Sequence, residues 1–299
     1  MYKESSAKIR GLPTGFLIDR IYNFLPMAVR STVMRIWMRA MKPAMIAHFR
    51  QFIKSGDIVF DVGANIGDYS QIYSDLGATV IAIEPQPSCQ KDLKTRFASN
   101  RNVTILPYGV GKVNSTLPFF ISSANPASST FSRQFITEGR YRHRMWDTTL
   151  QVPVVTLDHL AKTCGVPSFC KIDVEGYETQ VLAGLHNPIH YLSFEFTRES
   201  LQDTETCVKY LEHLSYSATS KVHLSRPNSD IIGSGGVPLR RQTTQKNKVQ
   251  FNVSFFYRFR FALPQWVSGD SLMQFLYQNK TPYLCGDVYA SFGGDNGYG

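Results

Sequence analysis

Two acids two residues apart, Asp173 and Glu175, follow the short apolar run Phe169-Cys170-Lys171-Ile172 and precede Gly176-Tyr177-Glu178. If that run is a parallel strand, the acids project into the crevice where open α/β sheets bind ligands. There a carboxylate can take the proton of a hydroxyl or fix its direction. Asp173 is the first candidate for that base, Glu175 stands beside it, and Glu195, in Leu192-Ser193-Phe194-Glu195-Phe196, is the reserve. Alone, an Asp-x-Glu at a strand end also suits a helix cap or a solvated turn. His143, His159, His186 and His190 are further candidate bases, although a lone histidine is more often a structural or surface residue. Carboxylate oxygens also suit Mg²⁺. No dedicated metal-ligand spacing is visible, and no metal is assigned.

A second segment, Val59-Phe60-Asp61-Val62-Gly63-Ala64-Asn65-Ile66-Gly67, reads as a strand ending in an acid and a glycine-bounded turn opening a helix. Such a turn lets backbone approach a ligand closely while helix-start N–H groups face it. Glu84 ends the next apolar run, where a carboxylate can accept both hydroxyls of a ribose. This spacing suits either a nicotinamide dinucleotide or S-adenosylmethionine. A dinucleotide fingerprint needs G-x-G-x-x-G, and Asn65 stands where its middle glycine would be. Asp61, read as an anion at the mouth of the turn, attracts ammonium and sulfonium charges and repels phosphates. The residues therefore favour S-adenosylmethionine; the bland alternative is a tight turn with no ligand.

The elements that must position these groups are legible as alternation. Ile58–Phe60, Thr79–Ile83, Val103–Leu106, Phe169–Ile172 and Leu192–Phe196 read as buried strands; Tyr69–Leu76, Pro87–Ala98, Glu178–Leu185 and Thr204–Leu214 read as helices. Near-continuous apolar strands alternating with helices indicate a parallel sheet covered on both faces. Residues 1–53 form an N-terminal extension; within it, 16–53 reads as two or three amphipathic helices broken at Pro26 and Pro43. Its basic, apolar-striped character suits packing against a core, and equally a peripheral contact with an anionic membrane. The main domain is placed at 54–290, with a polar, Arg-rich insertion at about 122–150, a mobile loop at about 225–249, a strand over Phe251–Phe261 and a frayed tail at 291–299.

With 299 residues, 43% apolar and 18% charged, the chain can bury a proper core, which excludes disorder and a bare disulfide scaffold. A formal charge of +9 favours an anionic partner without choosing which. Arg133, Arg140, Arg142 and Arg144 could grip its carboxylates or phosphates. Five widely spaced cysteines, the absence of an apolar leader core at Met1–Glu4 and the lack of any stretch near the roughly 18 apolar residues of a membrane span set the expectation of a cytoplasmic protein.

The sequence resembles the FkbM family of S-adenosylmethionine-dependent methyltransferases. The matching pieces, in family order over about residues 50–290, are VFDVGANIGDYS (59–70), IAIEPQPSC (81–89), Ser128-Ser129-Thr130, VTLD (155–158), KIDVEGYETQVLAGL (171–185), SFEF (193–196) and GDVYA (286–290). The resemblance implies a Rossmann-like class I fold, a seven-stranded mostly parallel sheet with helices on both faces. It also implies methyl transfer mainly to hydroxyl oxygens of sugars, glycans or other secondary metabolites. By position, Asp61, Gly63, Asn65 and Gly67 would surround the methionine part of the cofactor and Glu84 would hold the ribose. No acid stands at the usual adenine contact; Tyr108 is the substitute. A nucleic-acid methyltransferase is the alternative enzyme. Against it, Asn125-Pro126-Ala127 and Asn187-Pro188-Ile189 lack an aromatic partner for a flipped base. A membrane-surface module is the non-enzymatic alternative. Acceptor identity and oligomeric state are not legible.

Overall fold

The computed structural model of the chain describes residues 27–138, 142–224, 249–255, 263, 265–279 and 284–292. Most of the expected 225–249 loop, residues 256–261 of the last expected strand and the tail beyond Phe292 lie outside them. The chain divides into two compact units, Met1–Ala44 and Met45–Gly299.

Of the segment 16–53, residues 27–53 are described and hold one helix, Met27–Phe49, with Pro43 inside it. Pro43 was expected to break the chain. An internal proline removes one i→i−4 bond and crowds the turn before it, and this long helix continues through that defect. Among the described residues no helix is long and apolar enough to cross a membrane.

Ten strands are described: β1 Ile58–Val62, β2 Thr79–Ile83, β3 Val103–Leu106, β4 Gly109–Val110, β5 Ser115–Ile121, β6 Thr148–Val155, β7 Phe169–Ile172, β8 Tyr191–Thr197, β9 Gln250–Phe255 and β10 Cys285–Ser291. Seven form one sheet in the order β3-β2-β1-β7-β8-β10-β9, and three form a second, β4-β6-β5. In the large sheet β10 alone runs opposite to the other six strands. The order grows outward from β1 in one direction and from β7 in the other, so the β1/β7 seam is the topological switch point where such sheets open a crevice.

The two faces of this sheet differ in chemistry. On one, Phe60, Val62, Cys170, Ile172, Leu192, Phe194 and Val288 join a single apolar core with residues of the helices Leu157–Cys164, Glu178–Leu182, Leu201–Leu224 and Gly269–Gln278. On the other, side chains of alternate residues put Asp61, Lys171, Ser193, Tyr289 and Asn252 side by side across β1, β7, β8, β10 and β9. Aromatic rings close this second face. Phe52 stacks on Phe169 (centroids 5.5 Å apart) and on Tyr289 (5.3 Å), and Phe49 meets Tyr69 and Tyr73 edge-on. All five cysteines are free.

The insertion expected at 122–150 leaves from the end of β5 and returns into β6, which pair antiparallel from Ser115↔Val154 to Ile121↔Thr148. Phe52 is the stacking centre of the polar face, so Phe52→Ala should lower stability by about 3–5 kcal/mol in urea denaturation. A loss below about 1 kcal/mol would mean that the face closes without it.

Candidate active site

The turn after β1 is bonded on both sides. Gly63 and Ala64 donate their N–H groups to the Ile83 carbonyl at the tip of β2 (2.9 and 3.1 Å), while the Asp173 N–H, just past β7, donates to the Val62 carbonyl (2.9 Å). Gly63 has φ +83°, and a β-carbon there would lie 1.8 Å from the backbone oxygen of Asp173. Only glycine allows both the left-handed backbone and this approach. The start of the acid loop therefore lies directly against the cofactor-type turn.

Glu84, buried at the tip of β2, accepts the N–H of Asn65 through Oε2 and that of Gln86 through Oε1, both at 2.8 Å. Each oxygen keeps a second lone-pair direction, the pair of acceptors that the two hydroxyls of a ribose need. Asn65 holds φ +49°, which asparagine tolerates best among non-glycine residues. Its side-chain oxygen faces Cys89 Sγ at 3.4 Å, so its backbone lines the turn.

Two expected cofactor residues have other surroundings. Asp61 does not stand at the mouth of the turn: it is 1% exposed, accepts the Ser70 hydroxyl at 2.5 Å and pairs in register with Lys171. It sits one residue before the strand end, pointing to the polar face beneath the crevice. Gly67 serves packing, since a β-carbon there would strike Phe97 and Leu93 at 2.6 and 2.7 Å. Tyr108, half-buried beyond β3, leans on the apolar core.

The acid loop is built from three directions. Strand β7 ends at Ile172, level with Phe194 of β8, which brings the following Asp173 beside Glu195. Ligand-type oxygens of Asp173, Glu175 and Glu195 all lie within 4.8 Å of one another. Two of the chain's own cations act on them: Lys171 Nζ donates to Asp173 Oδ2 at 2.6 Å, and the charge of Arg144 favours the ionised form of Glu175. Glu175 holds φ +54° and is kept there by Thr130, whose hydroxyl donates to the Glu175 carbonyl at 2.7 Å, and by Glu178, whose Oε1 accepts from the N–H groups of Val174 and Gly176. Thr130 also bridges to Phe120 of β5, so the small sheet clamps the loop. Beside the acids a cleft opens, lined among others by Phe135, Glu178, Glu195, Thr197, Glu199 and Asp203.

Burial governs the charge states. It pushes Glu84 up to about 7 against the pull of its two N–H donors, and Glu178 likewise to about 7. Burial, then repulsion from Asp173, raises Glu175 and Glu195; both are half-buried, so water screens part of that rise. Burial carries Asp287 to about 6 with Lys171 opposing, and raises Asp61 against Lys171 and Ser70. For Lys171 itself burial opposes the charge, but Asp173, Asp287 and Asp61 outweigh it and the ammonium is reinforced. The site thus combines the ion-paired carboxylate of Asp173 with neighbours that burial biases toward the neutral carboxyl, which both donates and accepts hydrogen bonds.

Asp173, Glu175 and Glu195 are brought together as the sequence suggested, whereas none of His143, His159, His186 or His190 lines the described cleft. Arg144 reaches Ser128, Arg133 lies over the Phe120 ring at 5.7 Å, and Arg140 is outside the described residues. Lys171, Thr130 and Glu178 were missed as site builders. Lys171 could have been found from strand period alone, because it lies two residues before Asp173 and projects to the same side.

A large sheet with this strand order, one antiparallel strand next to its edge and a glycine turn facing a carboxylate at the switch point define a Rossmann-like class I methyltransferase fold. Residues 61–216, just over half of the chain, match the family described as methyltransferase FkbM domain. The chain belongs to the FkbM methyltransferase family. It is 28% identical over 182 residues, 59% of this chain and 70% of the relative, to hexuronic acid methyltransferase AglP of Haloferax volcanii. Among solved structures it is similar to the precorrin-6y C5,15-methyltransferase of Geobacter metallireducens (10% identity, TM-score 0.39, 84% of this chain and 87% of that one). It is also similar to the Aeropyrum pernix fibrillarin with natively bound S-adenosyl-L-methionine (10%, 0.34, 80% and 68%).

The raised carboxyls set a stability profile. A folded-state pKa above the unfolded value means that the folded protein binds more protons, so the contribution is full below about 4.5 and is lost as pH rises through about 7 for Glu84 and Glu178. The ligand-free protein should melt several degrees higher at about pH 5.5 than at about pH 8, at roughly 2–4 °C per kcal/mol for a domain of this size. A melting temperature that rises over the same interval would contradict these environments.

Proposed function

We propose that this protein is an S-adenosylmethionine-dependent O-methyltransferase acting on a hydroxyl of a sugar or glycan. One observation carries the reading: the glycine turn and the acid loop meet at backbone contact, so a donor seated on Gly63 and Glu84 lies beside Asp173. The family supplies methyl transfer, and the hexuronic acid named for the Haloferax relative points to a saccharide acceptor. The residues fit the cofactor. Glu84 would take the ribose hydroxyls and the Gly63–Asn65 backbone would line the amino-acid portion. Tyr108, half-buried beyond the tip of β3, is the side chain proposed to wall the adenine subsite, and Asp61 supports the turn from below through Ser70.

The bound cofactor would supply an electrophilic methyl carbon on a sulfonium. Asp173 would accept the proton of the hydroxyl whose oxygen takes the methyl group, the bound cofactor supplying the methyl and retaining the carbon–sulfur electron pair as a neutral thioether. Glu175 and Glu195, biased toward the neutral form, orient the sugar by donating to its oxygens, so the pair of environments separates one acceptor from two donors. Phe135 and the cleft walls hold the ring against this edge. Alignment of this kind supplies about 7–11 kcal/mol where the geometry is right.

Two variants test the assignment. Asp173→Asn should lower kcat by about 10²–10⁴ in radiolabelled methyl transfer to a panel of 4-nitrophenyl glycosides and glucuronides, with S-adenosylmethionine affinity preserved. Glu84→Gln should weaken calorimetric binding of that cofactor by about 10–100-fold, as expected when charge-assisted bonds worth about 1.5–3 kcal/mol are lost. Binding of NAD in place of S-adenosylmethionine would overturn the proposal.

A further inference from the structure

Lys171 lies on the polar face of β7, 2% exposed, in a setting that neither the fold nor the cofactor explains. Its ammonium sits 4.5 Å over the centroid of the Tyr69 ring and bonds Asp173 Oδ2 at 2.6 Å. Other groups face it from every strand around it: Asp61 beside it on β1, Ser193 beside it on β8, and the field of Asp287 from β10. Asp287 Oδ1 is buried without a hydrogen-bond partner, and so is the Ser193 hydroxyl. A purely structural cluster would satisfy these atoms, and replacing a whole buried ionic group by apolar residues is often neutral or stabilising. The arrangement does fix direction. Asp173 stands just past the strand end, its side chain 27% exposed, where a carboxylate has freedom to turn. Lys171, two residues earlier on the same side, takes one of its oxygens and leaves the other for a substrate proton.

We infer that Lys171 is a positioning residue for methyl transfer: seated on the Tyr69 ring and drawn by Asp61 and Asp287, it locks the Asp173 carboxylate toward the acceptor. This rests on the reading of Asp173 as the proton acceptor. Lys171 touches neither substrate nor cofactor in this account, so it acts on the rate step and leaves binding alone.

The test compares Lys171→Met, Lys171→Gln, Asp173→Asn and the Lys171→Met/Asp173→Asn double variant, with 4-nitrophenyl β-D-glucuronide as the probe. Lys171→Met should lower kcat by at least about 30-fold while KM for the probe and Kd for S-adenosylmethionine stay within about 3-fold, the pattern of an interaction lost only in the rate step. The double variant should be no slower than Asp173→Asn, since groups acting as one unit do not add. Lys171→Gln, which can still donate to Asp173, should recover most of the rate. If Lys171→Met does not fold, Tyr69→Leu carries the comparison: it leaves every charge in place but removes the ring, and should lower kcat where Tyr69→Phe does not.

Lys171→Met turnover near wild type beside an inactive Asp173→Asn would overturn the inference alone. Full activity of Asp173→Asn would overturn the reading beneath it. A crystallographic arm needs no acceptor. With S-adenosylhomocysteine bound, the Asp173 carboxylate should turn away in Lys171→Met, or in Tyr69→Leu if that variant carries the test, and stay in Lys171→Gln. An Asp173 carboxylate unmoved in the variant that carries the test contradicts the inference whatever the kinetics.

Discussion

The structure depends on one close approach, the backbone of Gly63 against the carbonyl of Asp173. It joins the loop after β1 to the loop after β7 at the one seam where the strand order reverses direction. Bonds from Gly63 and Ala64 to Ile83, and from Asp173 to Val62, fix three strand tips into a single rim. Every group with a chemical role hangs from that rim: Glu84 through Asn65, the acids through β7 and β8, and the clamp of Thr130 through the small sheet. A side chain at position 63 would push the rim apart, so glycine is a geometric requirement there.

Charge follows a second constraint. The whole chain is basic by nine, yet the described cleft gathers acids, with the Lys171–Asp173 ion pair and the charge of Arg144 acting from beside it. Net charge alone would have sent an anionic partner to this cleft. Burial resolves the conflict by disfavouring ionisation of Glu175, Glu178 and Glu195, so that near neutral pH the cleft presents hydroxyl-like donors and acceptors as well as charge. Such a surface suits a polyhydroxylated acceptor better than a phosphate.

Much of this was legible because buried parallel strands write themselves as short apolar runs. β2, β3 and β7 fall on the runs read from sequence, and β1 and β8 exceed theirs by a residue or two. Asp173, Glu175 and Glu195 could be paired in advance because consecutive parallel strands tend to be neighbours. Strands β5 and β6 were missed because Pro118 and Pro153 interrupt the runs that would announce them. Strand β10 was visible only through the family motif, and Asp287 was invisible as a site residue because nothing local says that β10 inserts between β8 and β9. Asp61 was misplaced for a simpler reason: one residue along a strand turns a side chain from the rim to the face below. Gly67 looked like a ligand glycine, but its neighbours Leu93 and Phe97 lie far along the sequence, beyond the second strand, and are met only in the fold.

The shared rim is tested most directly by Gly63→Ala, followed by calorimetric titration with S-adenosylmethionine and by melting temperature. The account predicts that a β-carbon meeting a backbone oxygen at 1.8 Å forces the two loops apart, so that cofactor binding is lost or falls at least about 100-fold, together with a lowered melting temperature. A Gly63→Ala protein that binds the cofactor and melts like the wild type would contradict it.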